Sequence, residues 1–138
     1  MKWSRREFPF LLPALAAAQP AAPEKLSSHA YRYEDLPVRK TANGASRQVL
    51  KGLTHSGWQV DIHESELAPG ASPHAPHQHV HEEIVFLRDG QLEVTIMGEV
   101  TQCGTGSVIY FASNQLHGFR NNGTSIARYD VLALGTDS

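Results

Sequence analysis

Cysteine is almost missing from this chain. Cys103 stands alone among 138 residues, so no intrachain disulfide can staple the fold. It reads as a small residue near a strand end, and no catalytic partner for it is visible in the sequence. Long apolar runs are missing as well. The stretch from Phe8 to Ala18 falls short of the about 20 apolar residues a membrane-spanning helix needs, so stable membrane insertion is not expected. Neither sign of charge dominates: 12 basic residues against 14 acidic ones give −2, which implies no strongly basic face and makes nucleic acid an unexpected partner. No segment keeps a helical period, and no internal repeat suggests a solenoid.

What is present is an ordinary apolar share of 41%, enough for one domain with a real core at this length, and an unusual crowd of histidines. Four of the eight, His74, His77, His79 and His81, fall within eight residues.

The N-terminus reads as an address. Ser4-Arg5-Arg6-Glu7-Phe8 resembles the twin-arginine export motif, a short apolar stretch follows, and Ala16-Ala17-Ala18 offers small residues for cleavage. Residues 1–18 are therefore expected to be an export signal, which implies a periplasmic or extracellular protein. Residues 19–29, rich in Ala, Pro and Ser, read as a linker. Residues 30–138 form the single expected domain.

Within that domain the pattern is short strands and turns. Trp58, Val60 and Ile62 alternate with Gln59, Asp61 and His63, a strand with one face inward. Ile84 to Leu87 is a short apolar run ending at Arg88-Asp89-Gly90, and Asp-Gly is a strong hairpin signal. Leu92, Val94 and Ile96 alternate beyond it. Gly98-Glu99 marks the next turn, and Val108–Phe111, Phe119–Asn121 and Ile126–Leu134 read as further strands. Many short strands at regular spacing predict an all-β sandwich or barrel. Of Phe86, Met97, Tyr110, Phe111, Phe119 and Tyr129, half should point inward by strand period. Arg88, Arg120 and Arg128 are expected at the surface.

The chemistry is carried by two segments. His77 and His79 are two residues apart, so on an extended chain they project from one face and can approach one ion together. Glu83 follows four residues later at the start of a strand, where a turn at Val80–Glu82 swings it back to the same point. His117 arrives from a separate hairpin. Three imidazoles and a carboxylate suit a borderline divalent ion.

This spacing resembles the cupin family. Its first motif is matched by His77, His79, Glu83 and Gly90, with Gly70 one residue further upstream than usual. Its second motif is matched by Gly106, His117 and Asn121, with Ala112 and Asn114 in place of the usual Pro and Gly. Asn tolerates the left-handed conformation that Gly would supply. The resemblance covers roughly residues 56–134. It implies a double-stranded β-helix, or jelly-roll barrel. It also implies one divalent transition-metal ion (Fe, Mn, Ni, Zn or Cu) on His77, His79, Glu83 and His117, with Glu83 doubling as a proton acceptor. His74 and His81 fit no ligand slot and are expected on the loop or rim. Glu82 should face solvent, because the spacing to Gly90 selects Glu83, and Asn121 should orient the turn after His117.

Two functions lead among those compatible with the resemblance, ahead of a metal-storage or metal-sensing role involving His74 and His81. One is a metal-dependent oxygenase, or an isomerase-type enzyme, acting on a small chelating metabolite in the barrel mouth. The other is a non-catalytic module that binds a sugar or organic acid and keeps the ion as a structural clip. A homodimer is also implied, with Tyr31–Leu53 as the segment that would pair and cover a sheet edge.

Overall fold

The computed structural model describes residues 24–135. The arginine pair Arg5-Arg6 and the Ala16–Ala18 cleavage site lie outside the described residues. Nine strands follow one short 3-10 turn at Tyr33–Asp35. They are β1 (Val38–Thr41), β2 (Gly44–Leu53), β3 (Gln59–Leu67), β4 (Glu82–Asp89), β5 (Gln91–Ile96), β6 (Glu99–Gly104), β7 (Val108–Phe111), β8 (His117–Arg120) and β9 (Ala127–Leu134). They build two antiparallel sheets, one ordered β1-β2-β3-β9-β4-β7 and the other β6-β5-β8. This is the all-β architecture that the strand pattern predicts, in the jelly-roll form that the family resemblance implies.

The core lies where the two sheets face each other. Val85 and Leu87 of β4, Ile109 and Phe111 of β7, Ala127, Tyr129 and Val131 of β9 and Leu67 of β3 meet Leu92 and Val94 of β5 and Phe119 of β8. Strand alternation produces this: β4 carries its buried residues at every second position, and the same holds for β7. Of the six large side chains expected to divide evenly, Phe111, Phe119 and Tyr129 are buried, while Phe86, Met97 and Tyr110 are exposed. Cys103 is half-buried near the end of β6 and packs against the core.

The turn at Asp89-Gly90 joins β4 to β5. Gly90 has φ +90°, and a Cβ there would lie 2.9 Å from Ala127 Cα, so both conformation and space require glycine. Gly90→Ala should therefore destabilise the protein by roughly 2 kcal/mol, read as a lower urea midpoint. An unchanged midpoint would show that the turn relaxes freely.

On β3 the alternation is real, but the inward face is the polar one. Asp61, His63 and Ser65 share the inner face with Leu67, because their cross-strand partners Ala133, Val131, Tyr129 and Ala127 belong to the side of β9 that faces the core. Trp58 precedes the strand and is 65% exposed. Ile62 sits on the outer face in a cross-strand apolar row with Leu50, Leu132, Ile84 and Tyr110. The usual rule of apolar side inward fails here because this half of the barrel is hollow.

A β-bulge between Gln48 and Leu50 shifts the β2–β3 register. Gln48 uses its amide at the bulge, donating to the carbonyls of Leu50 and Ile62 at 3.0 Å and to Asp61 Oδ1 at 2.7 Å. Bulges of this kind re-aim side chains, and this one fixes Asp61 on the cavity wall.

Candidate metal centre

The loop between β3 and β4 carries the histidine cluster, and it is held like an extra strand beside β8. Gly70 N–H donates to Asn121 O at 2.7 Å, and Asn121 N–H donates to Ala71 O at 2.9 Å. His77 and His117 exchange both backbone hydrogen bonds at 2.9 Å. Gly118 makes the close approach possible, since a Cβ there would come within 3.2 Å of Pro76 Cα. The turn from β7 to β8 adds a further tie, with Asn114 N–H donating to His79 O at 2.7 Å. Asn114 has φ +58°, the left-handed conformation expected where the cupin motif usually has glycine.

These ties bring His77, His79 and His117 together. The ring centroids are 4.8–5.0 Å apart, and one nitrogen from each ring lies within 4.8 Å of the others. Nitrogens sharing one ion at about 2.1 Å sit roughly 3–4 Å apart, so a small inward adjustment closes the set. Two tautomers are fixed from behind. His79 Nδ1–H donates to His81 O at 2.7 Å, and His117 Nδ1–H donates to Gln115 O at 2.8 Å. Each leaves its Nε2 lone pair facing the cluster.

His77 Nδ1, His79 Nε2 and His117 Nε2 are all buried without a hydrogen-bond partner. Unpaired buried polar atoms are costly and rare, and three of them converging on one point fit a cation. His117 is only 2% exposed and stacks on Phe111 with centroids 4.1 Å apart, which holds its plane.

Glu83 is the second residue of β4, and its side chain turns to the same region. Its Oε2 is 3.6 Å from His79 Nε2 and 3.9 Å from His117 Nε2. His81 also comes to the site: its Nε2 lies 3.2 Å from Glu83 Oε1 and its ring stacks on His79 at 3.6 Å. Sequence spacing places His81 on the rim, since one residue type at one position carries no information about a contact made through a turn. His81, His79 and Glu83 form a second group with metal-ligand chemistry that shares His79 with the first. His74 is exposed and packs edge-on against His77 at 4.0 Å. Glu82 points to the outer face and accepts a hydrogen bond from Tyr110 Oη at 2.7 Å. Asn121 is fully buried and braces the chain after β8.

A cavity of about 600 Å³ opens beside the cluster. Glu83 and His74 line it together with Phe119 and Tyr129 and polar residues of β1, β2 and β3. Burial pushes the Tyr129 hydroxyl up to about 12, so it stays protonated. Burial also lowers His63 below the ordinary histidine value of 6.5, and it does the same to His77 and His117. In metal-free protein the unfolded chain takes up protons below about pH 6.5 that these folded imidazoles refuse. Their contribution to stability is therefore complete above that pH and is lost as pH falls through the lowered folded values. Chelator-treated protein should show urea midpoints that fall from pH 7 to pH 5, and His63→Gln should flatten part of that slope.

Arg88, Arg120 and Arg128 are exposed and each is paired with carboxylates: Arg88 with Glu64 and Asp130, Arg120 with Glu93, Arg128 with Glu66 and Asp89. This is the surface placement expected of them.

Comparison with known proteins gives a consistent picture. The family described as a cupin domain matches residues 63–134, over half of the chain. None of the curated proteins matches. Among solved structures, an RmlC-like cupin from Shewanella frigidimarina superimposes with a TM-score of 0.67 at 14% identity, covering 80% of this chain and 93% of that one. KdgF from a Halomonas species gives 0.68 at 17% identity, covering 80% and 97%. The polyketide cyclase RemF from Streptomyces resistomycificus gives 0.66 at 18% identity, covering 80% and 81%. At such identities the likeness speaks for the fold alone.

Proposed function

Because the chain belongs to the cupin family, we propose that it is a metal-dependent enzyme of the oxygenase type acting on a small chelating metabolite. The ion would be held by His77, His79, His117 and Glu83. The observation that carries this reading is the convergence of three buried, unpartnered imidazole nitrogens beside a cavity that shares Glu83 with them. A bound divalent ion supplies Lewis-acid polarisation and a template for oxygen-bearing ligands.

The chain's own residues do the rest. His79 and His117 are fixed in the ligating tautomer by Nδ1–H bonds to backbone carbonyls. Phe111 backs His117 and closes that side to water. Glu83 faces both the imidazoles and the cavity, so its carboxylate is placed to accept a proton from a bound ligand. His81, 3.2 Å from Glu83 Oε1, orients that carboxylate. Among structural neighbours one is described as a polyketide cyclase and another as a sugar phosphate isomerase, so the fold carries several chemistries.

The test is oxygen consumption by protein loaded with Fe(II), Mn(II) or Ni(II), using a panel of enediols, flavonols and thiols. Turnover with one metal–substrate pair supports the reading. Absence of turnover with every metal, together with tight metabolite binding, would replace it with a non-catalytic binding module.

Export through the Ser4–Phe8 motif and pairing of two copies along Tyr31–Leu53 belong to the same proposal. The pairing is supported by β1 covering only Gly44–Arg47 of β2, which leaves most of the strand's far half with an open edge. Light scattering should give twice the chain mass, and a monomer would remove the pairing.

A further inference from the structure

Six arginines lie in the described residues, and five of them have carboxylate partners. Besides the three surface arginines above, Arg32 meets Glu34 and Asp35, and Arg47 meets Glu66. Arg39 is the exception: among the described residues no carboxylate pairs with it, and it lines the cavity.

The cavity's acids are all engaged. Asp61 accepts from Gln48 at 2.7 Å and pairs with Lys51 at 3.0 Å. Glu66 lies 3.6 Å from both Arg47 and Arg128. Glu83 is taken by the histidines. The unsatisfied charge of the cavity is thus a single cation. Arg39 is also close enough to His63 for its charge to act on that imidazole.

The strand register shows how these groups are laid out. Arg39, Ser46, Ser65 and Tyr129 form one cross-strand row on the inner face. Gln48, His63 and Val131 form the next, and Asp61, Ala133 and Glu83 the one after that. Arg39 and Glu83 therefore sit two rows apart along the strands, roughly 13 Å, and four strands apart across the sheet, with both lining the one cavity. Ser46 and Ser65 line the Arg39 end, and Gln48 and His63 stand in the row between the two ends.

We propose that Arg39, supported by His63, binds the oxyanion of a small hydroxylated ligand whose other end reaches Glu83 and the ion. The ligand class is a polyol bearing a carboxylate or a phosphate ester. The placement of its far end rests on the metal-centre reading above, while the anion end stands on Arg39 alone. A guanidinium presents a planar fork matched to either oxyanion.

Titration calorimetry of the full chain, metal-loaded and metal-stripped, tests this with gluconate, sorbitol 6-phosphate and neutral sorbitol. At least one anion should bind ten times or more tighter than sorbitol, and which anion wins distinguishes carboxylate from phosphate. Arg39→Gln should abolish that preference while leaving sorbitol binding, metal content and melting temperature unchanged, since Arg39 is exposed. Arg39→Lys should restore part of it. Persistence of the preference in metal-stripped protein that shows no oxygen use when loaded would uphold the anion site and remove only the proposed reaction. Equal binding of sorbitol, no binding of either anion at millimolar concentration, or an undiminished preference in Arg39→Gln would overturn it.

Discussion

Protein carrying His117→Ala is expected to leave purification with less than about a tenth of the wild-type metal, since losing even an outer partner of a ligand costs 10–100-fold in affinity. His117 is 2% exposed, so its Nε2 cannot be replaced by a surface side chain swinging in. Its backbone pairs directly with His77, so the position is set by the ladder and persists in the variant. What disappears is one of three convergent lone pairs. Because the ring also packs on Phe111, the alanine variant opens a void and will melt earlier for that reason alone. His117→Gln fills most of that volume without offering an imidazole, and it should lose metal equally. His74→Ala is the contrasting control. That ring is exposed, bonds the Ala75 carbonyl and meets His77 edge-on without pointing a free nitrogen at the cluster's shared point, so metal content should stay near the wild-type level. Elemental analysis of protein purified without chelators reads all three, and a folded His117→Gln variant with full metal content would sink the assignment of His117.

The parts of this site that were legible in the sequence are those fixed by local geometry. The i, i+2 spacing of His77 and His79, the Asp89-Gly90 turn and the regular spacing of apolar strand residues each follow from backbone periodicity, and the structure has them. Asn114 is legible for the same reason, because few residue types accept its positive φ. The parts that were not legible depend on which strands become neighbours. β3 shows two faces in the sequence, but only its pairing with β9 decides that Asp61 and His63 face the cavity. His81 reaches Glu83 through a bend between two strands. Arg39 looks like any surface arginine until the carboxylates around the cavity are all found to be taken. Hydrophobic patterning assumes a filled interior, and a binding cavity breaks that assumption where function needs space.

Asn121→Ala should cost about 3 kcal/mol or more, judged from about 1–3 kcal/mol for each buried group left unsatisfied. The amide is fully buried. Its Nδ2 donates to Leu67 O at 2.9 Å and to Ser125 O at 2.7 Å, and its Oδ1 accepts from Gly123 N–H at 2.9 Å. Truncation therefore strands the buried Leu67 carbonyl and leaves the part-buried Ser125 carbonyl and Gly123 amide without their partner. Against a total stability of roughly 5–15 kcal/mol, that is a large share. Asn121→Asp should be no better, because a buried carboxylate would face the Leu67 and Ser125 oxygens with no hydrogen to offer them. The urea midpoint of metal-stripped protein is the right measurement, since bound ion would mask part of the loss by mass action. Asn121 and His117 sit at the two ends of the same short stretch, yet their failures should differ. The histidine variant is expected to lose the ion from a protein that still folds. The asparagine variant is expected to lose stability while its folded fraction keeps the three imidazoles together, because the His77–His117 backbone pair does not pass through the Asn121 side chain. A wild-type midpoint for Asn121→Ala would mean that the loop from Asn121 to Ser125 closes without its central brace.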